Sequence, residues 1–250
     1  MKGEKTVKNA FKKLCDHVKA DHVILTLGVL LLVFYASLEV LVQILPTYQI
    51  NPLIRVLILF TICVVFYCGG ALRLQRTGDS ATFRRLFYFF FALYLYLILT
   101  VTLTDVTLGR DGDFIFNDIH FRDQRAHYVK WFVNLIPFRS IYEVYILGLV
   151  NGYVNFYYVL LNLIGNLCLF MPFAFFMPLL FRRQRKWYFF VPTVILCIAA
   201  VEALQFLFMI GSCDIDDLIL NATGAITLYF LIKIPCLKRL CMRFLRNSFE

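Results

Sequence analysis

Charge is what this 250-residue chain has least of. Asp, Glu, Lys and Arg together make up 16% of it, with 16 acids against 25 bases. A soluble domain carries about a quarter charged residues, so a wholly water-facing globule is excluded. Glycine (12) and proline (7) are also few, which excludes collagen-like and low-complexity architectures. No P-loop, H-E-x-x-H, G-x-S-x-G or dinucleotide fingerprint occurs. The eight cysteines form no C-x-x-C pair and have no zinc-type spacing with histidine. No internal repeat or inverted half of the transporter kind is visible. The first apolar run starts near His22 and is too long for a signal-peptide core, so it is expected to stay as a span.

What the chain does have is apolar surface. Hydrophobic residues make up 61% of it, including 27 Phe and 14 Tyr, and the mean hydropathy is +0.75. Such an excess does not fit inside one core, so much of the surface must face lipid. The net charge of +9 sits beside apolar runs, as anionic headgroups favour, which argues for a membrane lipid partner rather than nucleic acid. The pattern predicts an all-α polytopic transmembrane bundle of six spans: Val23–Leu45, Leu53–Leu72, Leu86–Thr104, Tyr157–Phe181, Tyr188–Ile210 and Ile215–Ile234. Lys and Arg mark every second side. They crowd the first 19 residues, the loop with Arg73, Arg76, Arg84 and Arg85, the loop with Arg182, Arg183, Arg185 and Lys186, and the tail. The one exception on the other side is the outer region 105–155, which holds Arg110, Arg122, Arg125, Lys130 and Arg139, balanced to near neutrality by its acids; a long loop translocates despite its charge. The positive-inside rule then puts both termini in the cytoplasm.

The expected organisation is a basic amphipathic segment (1–22), three spans (23–104), an outer loop region (105–155), three more spans (156–234) and a basic tail (235–250). Within the outer loop, Ile141–Val150 is apolar but too short to cross, and reads as an interfacial or re-entrant helix. His120 and His127 lie there near Asp118 and Asp123, without tight ligand spacing.

Polar groups inside lipid are costly, so those that remain need a reason. Asn162 and Asn166 lie one turn apart in the fourth span, with Gly165 between them. Glu202 and Gln205 share a face of the fifth. Asp214, Asp216 and Asp217 open the sixth, and Asn221 and Gly224 continue its face. On this topology all three faces fall at one depth near the outer surface. The structural alternative is helix capping by the acids and helix-to-helix glue by the amides. Asn134-Leu-Ile-Pro137-Phe138 reads as a turn, and the following Arg139 is a candidate partner for the acids or for a phosphate. Glu39 is an isolated acid in the first span, and Arg55 is expected to snorkel from the second.

These residues resemble the VanZ-like family. The resemblance rests on Asn134–Phe138, Asn162-x-x-Gly165-Asn166 with Phe170-x-Pro172, Glu202-x-x-Gln205, and Asp214-Ile-Asp-Asp with Asn221-x-x-Gly224, in that order over about 93–234. Two positions depart from it: Gly211, where an Arg is frequent, and Ala174, where a Gly is frequent. The resemblance implies a multi-pass protein of the bacterial cytoplasmic membrane, mainly in Gram-positive species, whose namesake is associated with reduced susceptibility to the glycopeptide teicoplanin. It does not imply a reaction. The function expected is binding of a lipid-linked peptidoglycan precursor or lipoglycopeptide at the outer face, with no cofactor. The alternative is an intramembrane enzyme acting on a polyprenyl or lipid substrate, with a divalent cation held by Asp214, Asp217 and Glu202.

Overall fold

The computed structural model describes residues 20–44, 52–78, 80–103, 121–235 and 237. Among these, six helices are long and apolar enough to cross a membrane, at Ala20–Val42, Ile54–Thr77, Arg84–Leu103, Phe156–Leu180, Trp187–Phe208 and Ile215–Lys233. The chain is an all-α polytopic bundle. The amphipathic segment before residue 20, the loop over 104–120 with Asp118 and His120, and the tail beyond Leu237 lie outside the described residues.

The chain forms two compact units, one up to Tyr94 and one from Leu95. The first contains α1 (Ala20–Ile44), α2 (Pro52–Thr77) and the start of α3 (Ser80–Leu103). Ion pairs tie α1 to α2 at both ends. Arg76 donates to Asp21 at 2.6 Å, and Asp21 is buried. At the other end Arg55 Nε donates to Glu39 at 2.8 Å, and the Tyr35 hydroxyl donates to the same carboxylate. Arg55 is only 6% exposed, so it does not snorkel as expected; Glu39 holds it inside. The eighteen residues from Asp21 to Glu39 rise about 27 Å, close to the hydrocarbon thickness of roughly 30 Å. The pairs therefore sit where an apolar run meets polar surroundings.

The second unit holds the end of α3, then α4 (Phe121–Phe132), β1 (Val133–Asn134), α5 (Ile141–Val150), α6 (Phe156–Leu169), α7 (Phe173–Leu180), α8 (Trp187–Phe208), β2 (Cys213–Asp214) and α9 (Ile215–Lys233). Spans are placed close to expectation, with three differences. The helix of the second span runs on to Thr77, carrying Arg76 to Asp21. The fourth span is broken: Pro172 has no N–H to continue α6, and α7 starts anew there, with Phe170 and Phe173 buried against each other in the break. The region between the third and fourth spans contains a second helix, α4, whose Tyr128 hydroxyl reaches the Gln205 carbonyl at 3.4 Å. The short helix expected at Ile141–Val150 is present and is π-helical over Ile141–Leu147.

Hydroxyls inside the spans return to their own backbone. Ser37, Thr61, Thr100 and Thr102 each donate to the carbonyl four residues back at 2.8 Å. In lipid, where no water is available, this satisfies the group locally.

Glu39→Gln is expected to leave the buried Arg55 uncompensated and to destabilise the α1–α2 hairpin by about 3–5 kcal/mol. The double change Glu39→Leu, Arg55→Leu is expected to recover most of that loss. Reversible unfolding in mixed micelles measures both.

Candidate functional site

The site begins with a tight turn. Pro137 fixes its own φ at the second position, and Phe138 takes φ 64° at the third, while the Arg139 N–H donates to the Ile136 carbonyl at 3.3 Å. This is a type II turn, which normally wants glycine third. A phenylalanine there costs about 1–2 kcal/mol, so something must hold it. The Phe138 N–H donates to Asp216, and the Ile141 N–H donates to the other oxygen of that carboxylate at 3.1 Å. Asp216 is 1% exposed.

Asp214 holds the strand that leads into the turn. Val133 and Asn134 pair in parallel with Cys213 and Asp214. Asn134 Nδ2 donates to Asp214 Oδ1 at 2.9 Å, and the Ser140 hydroxyl donates to Asp214 Oδ2. Asp214 also caps α9, accepting from the Asp216 N–H at 2.9 Å. Asn134 Oδ1 accepts from the Ile136 N–H at 3.1 Å, completing the turn. Every donor to these two buried carboxyl groups is a neutral amide or hydroxyl. Ionised acceptors make strong bonds to such donors, and the start of α9 adds its dipole.

Glu202, Asp217 and Asn166 surround this latch half-buried. Glu202 accepts the Asp214 N–H at 3.2 Å. Asn166 Nδ2 donates to Asp217, joining α6 to the first turn of α9. Asn221 Nδ2 donates back to the Asp217 carbonyl at 2.8 Å, and its buried Oδ1 has no partner among the described residues. Gly224 lets the helices meet, since a Cβ there would run into the Leu167 carbonyl. Two groups from outside the expected set join them. Burial raises the pKa of the Tyr145 hydroxyl, and Asp217, Tyr158, Asp214 and Asp216 raise it further. Burial also raises Cys213, followed by Glu202, Asp214 and Asp217. Tyr145 had one signal in the sequence, a polar-tipped aromatic at the centre of the short apolar helix.

Four expected residues sit differently. Gln205 faces α3, donating to the Thr102 carbonyl at 3.1 Å. Asn162 donates to its own helix, at the Tyr158 carbonyl, 2.9 Å away. Arg139 does not stand in for the missing family arginine: it is exposed and pairs with Glu143 at 2.9 Å, one turn along. Pro137 contributes backbone shape to an exposed turn. Gly211 takes φ 60° in the hairpin between α8 and β2, a conformation an arginine would adopt only with strain. His127 lies against the Trp131 and Phe132 rings.

The residues do not fit the cation considered for Asp214, Asp217 and Glu202. Both Asp214 oxygens already face proton donors, and among the described residues no three His, Cys, Asp or Glu side chains converge to hold a metal ion.

A model of the VanZ/LLP1 family matches residues 90–238, more than half of the chain. No curated protein and no solved structure matches it.

Asp216→Ala is expected to orphan the Phe138 and Ile141 N–H groups, cost about 2–4 kcal/mol and expose the backbone over 134–141 to hydrogen exchange. Asp217→Asn should leave that protection intact. Unchanged exchange in Asp216→Ala would contradict the latch. Because the Cys213 pKa is raised, its thiolate should form only above the pH at which an unburied cysteine reacts, near 8.5. Glu202→Gln removes one of the negative charges responsible, so maleimide labelling of Cys213 at fixed pH should become faster.

Proposed function

The chain belongs to the VanZ/LLP1 family, and from that premise we propose that it is a binding module of the bacterial cell envelope. Its ligand is a lipid-linked peptidoglycan precursor or a lipoglycopeptide, taken up at the end of the bundle that carries Asn166, Glu202 and Asp217. Occupancy there lowers susceptibility to glycopeptides such as teicoplanin. The Lys and Arg distribution supports the orientation this needs, with both termini in the cytoplasm of a Gram-positive cell and the acidic end outward.

One observation carries the reading. Asp214 and Asp216 are consumed in fastening the turn, which gives the half-buried Asn166, Glu202 and Asp217 a rigid floor. Preorganised carboxylates and carboxamides recognise hydroxyl and amine groups, the polar content of sugars and peptides. In the segment that carries the turn, Trp131, Leu135, Ile136, Phe138, Tyr142 and Tyr153 are all exposed, the composition that suits a polar headgroup attached to a lipid chain.

The test is a titration of a polyprenyl-linked disaccharide-pentapeptide into the full chain in nanodiscs. Glu202→Gln with Asp217→Asn is expected to weaken binding about 10–100-fold, the value of one charged hydrogen bond. Equal binding by the double variant and the wild type would overturn the proposal.

A further inference from the structure

The opposite end of the second unit carries its own constellation. Between Asn166 and Ile234 the acids are Glu202, Asp214, Asp216 and Asp217, all gathered around one end of α8 and α9. The bases Arg182, Arg183, Arg185, Lys186 and Lys233 gather at the other. The sixteen residues from Asp217 to Lys233 separate the two by about 24 Å along α9.

These five cations stand on a shaped turn rather than a loose loop. Arg182–Arg185 is a single 3-10 turn between α7 and α8. The Tyr229 hydroxyl, from α9, donates to the Arg185 carbonyl at 2.8 Å, and the Tyr229 ring stacks on Phe190 at 4.1 Å. Tyr229 is 1% exposed. Gln184 donates to Thr193 at 3.0 Å, and Arg185 Nε donates to the Pro178 carbonyl at 3.1 Å. Lys233 rests over the Tyr229 ring at 3.9 Å, which brings α9's cation to the same turn. All five basic side chains are exposed, and among the described residues none meets an acid. Trp187 and Tyr188 are exposed beside them, the ring types found at a headgroup boundary.

We infer that this turn is a binding site for the phosphate of an anionic membrane lipid. A clustered positive charge without acids, fixed by a buried tyrosine and flanked by interfacial aromatics, calls for an anion. Its place at the mouth of three spanning helices selects one presented by the bilayer. Each arginine or lysine near an anionic surface contributes about 1 kcal/mol, so the cluster is expected to retain phosphatidylglycerol over phosphatidylcholine.

The experiment uses the full chain in nanodiscs of phosphatidylcholine doped with phosphatidylglycerol, followed by native mass spectrometry of the lipids kept on release. Wild type should keep phosphatidylglycerol selectively, and Arg182→Gln, Arg183→Gln, Lys186→Gln should reduce that retention by about 100-fold. Should the triple variant unfold, wild-type retention against salt gives the second reading: selectivity is expected to fall steeply between 0.05 and 0.5 M NaCl as screening shortens. Equal retention of the two lipids, or retention unaffected by both the substitutions and salt, would overturn the inference. So would displacement of phosphatidylglycerol from the doped discs by inorganic phosphate or pyrophosphate, since the source would then be soluble.

Discussion

Two buried carboxylates satisfied by neutral donors hold the second unit together at its acidic end. Asp214 and Asp216 take amide and hydroxyl protons from Asn134, Ser140, Phe138 and Ile141, 74–80 residues earlier in the chain. Removing water from a carboxylate costs several kcal/mol, and that cost is offset here because every carboxylate oxygen has a donor aimed at it. The return is a loop closed onto a helix start, with a phenylalanine kept in a backbone conformation it would otherwise avoid. Glu202 and Asn166 are positioned by the same elements, through the Asp214 N–H and the Asp217 side chain.

The same economy of polar groups runs through the rest of the molecule. The first two spans carry charge in pairs at their ends, as Asp21 with Arg76 and Glu39 with Arg55. Ser37, Thr61, Thr100 and Thr102, inside the spans, give their protons to the backbone four residues back. The segregation of acids and bases to opposite ends of α8 and α9 follows the same logic on the scale of a whole unit.

Much of this was legible in the sequence, and the reasons for the rest are physical. Run length and hydropathy locate six spans within a few residues, because lipid imposes one requirement on every helix. The acids at the start of α9 were readable as caps or as a cluster, and Asp214 is both. What periodicity could not supply was the partner of each. The pairing of Glu39 with Arg55 and the reach of Asp214 to Asn134 depend on which faces meet, and a single sequence carries no such signal. The break at Pro172 was visible as a proline inside an apolar run, but the run's length favoured one continuous helix. The sequence offers Arg139 as a candidate partner for the acids or for a phosphate, whereas its i,i+4 neighbour Glu143 is the partner it takes.

The latch can be tested with a cross-link that the chain half-contains already. Val133 and Cys213 are register partners in the short parallel pair, a separation within disulfide reach. In a chain with its other seven cysteines replaced, Val133→Cys should form a disulfide with Cys213 under mild oxidation in the membrane, while Leu135→Cys should not. If Val133→Cys stays reduced, or if Leu135→Cys cross-links equally well, the turn is not fastened to the start of α9.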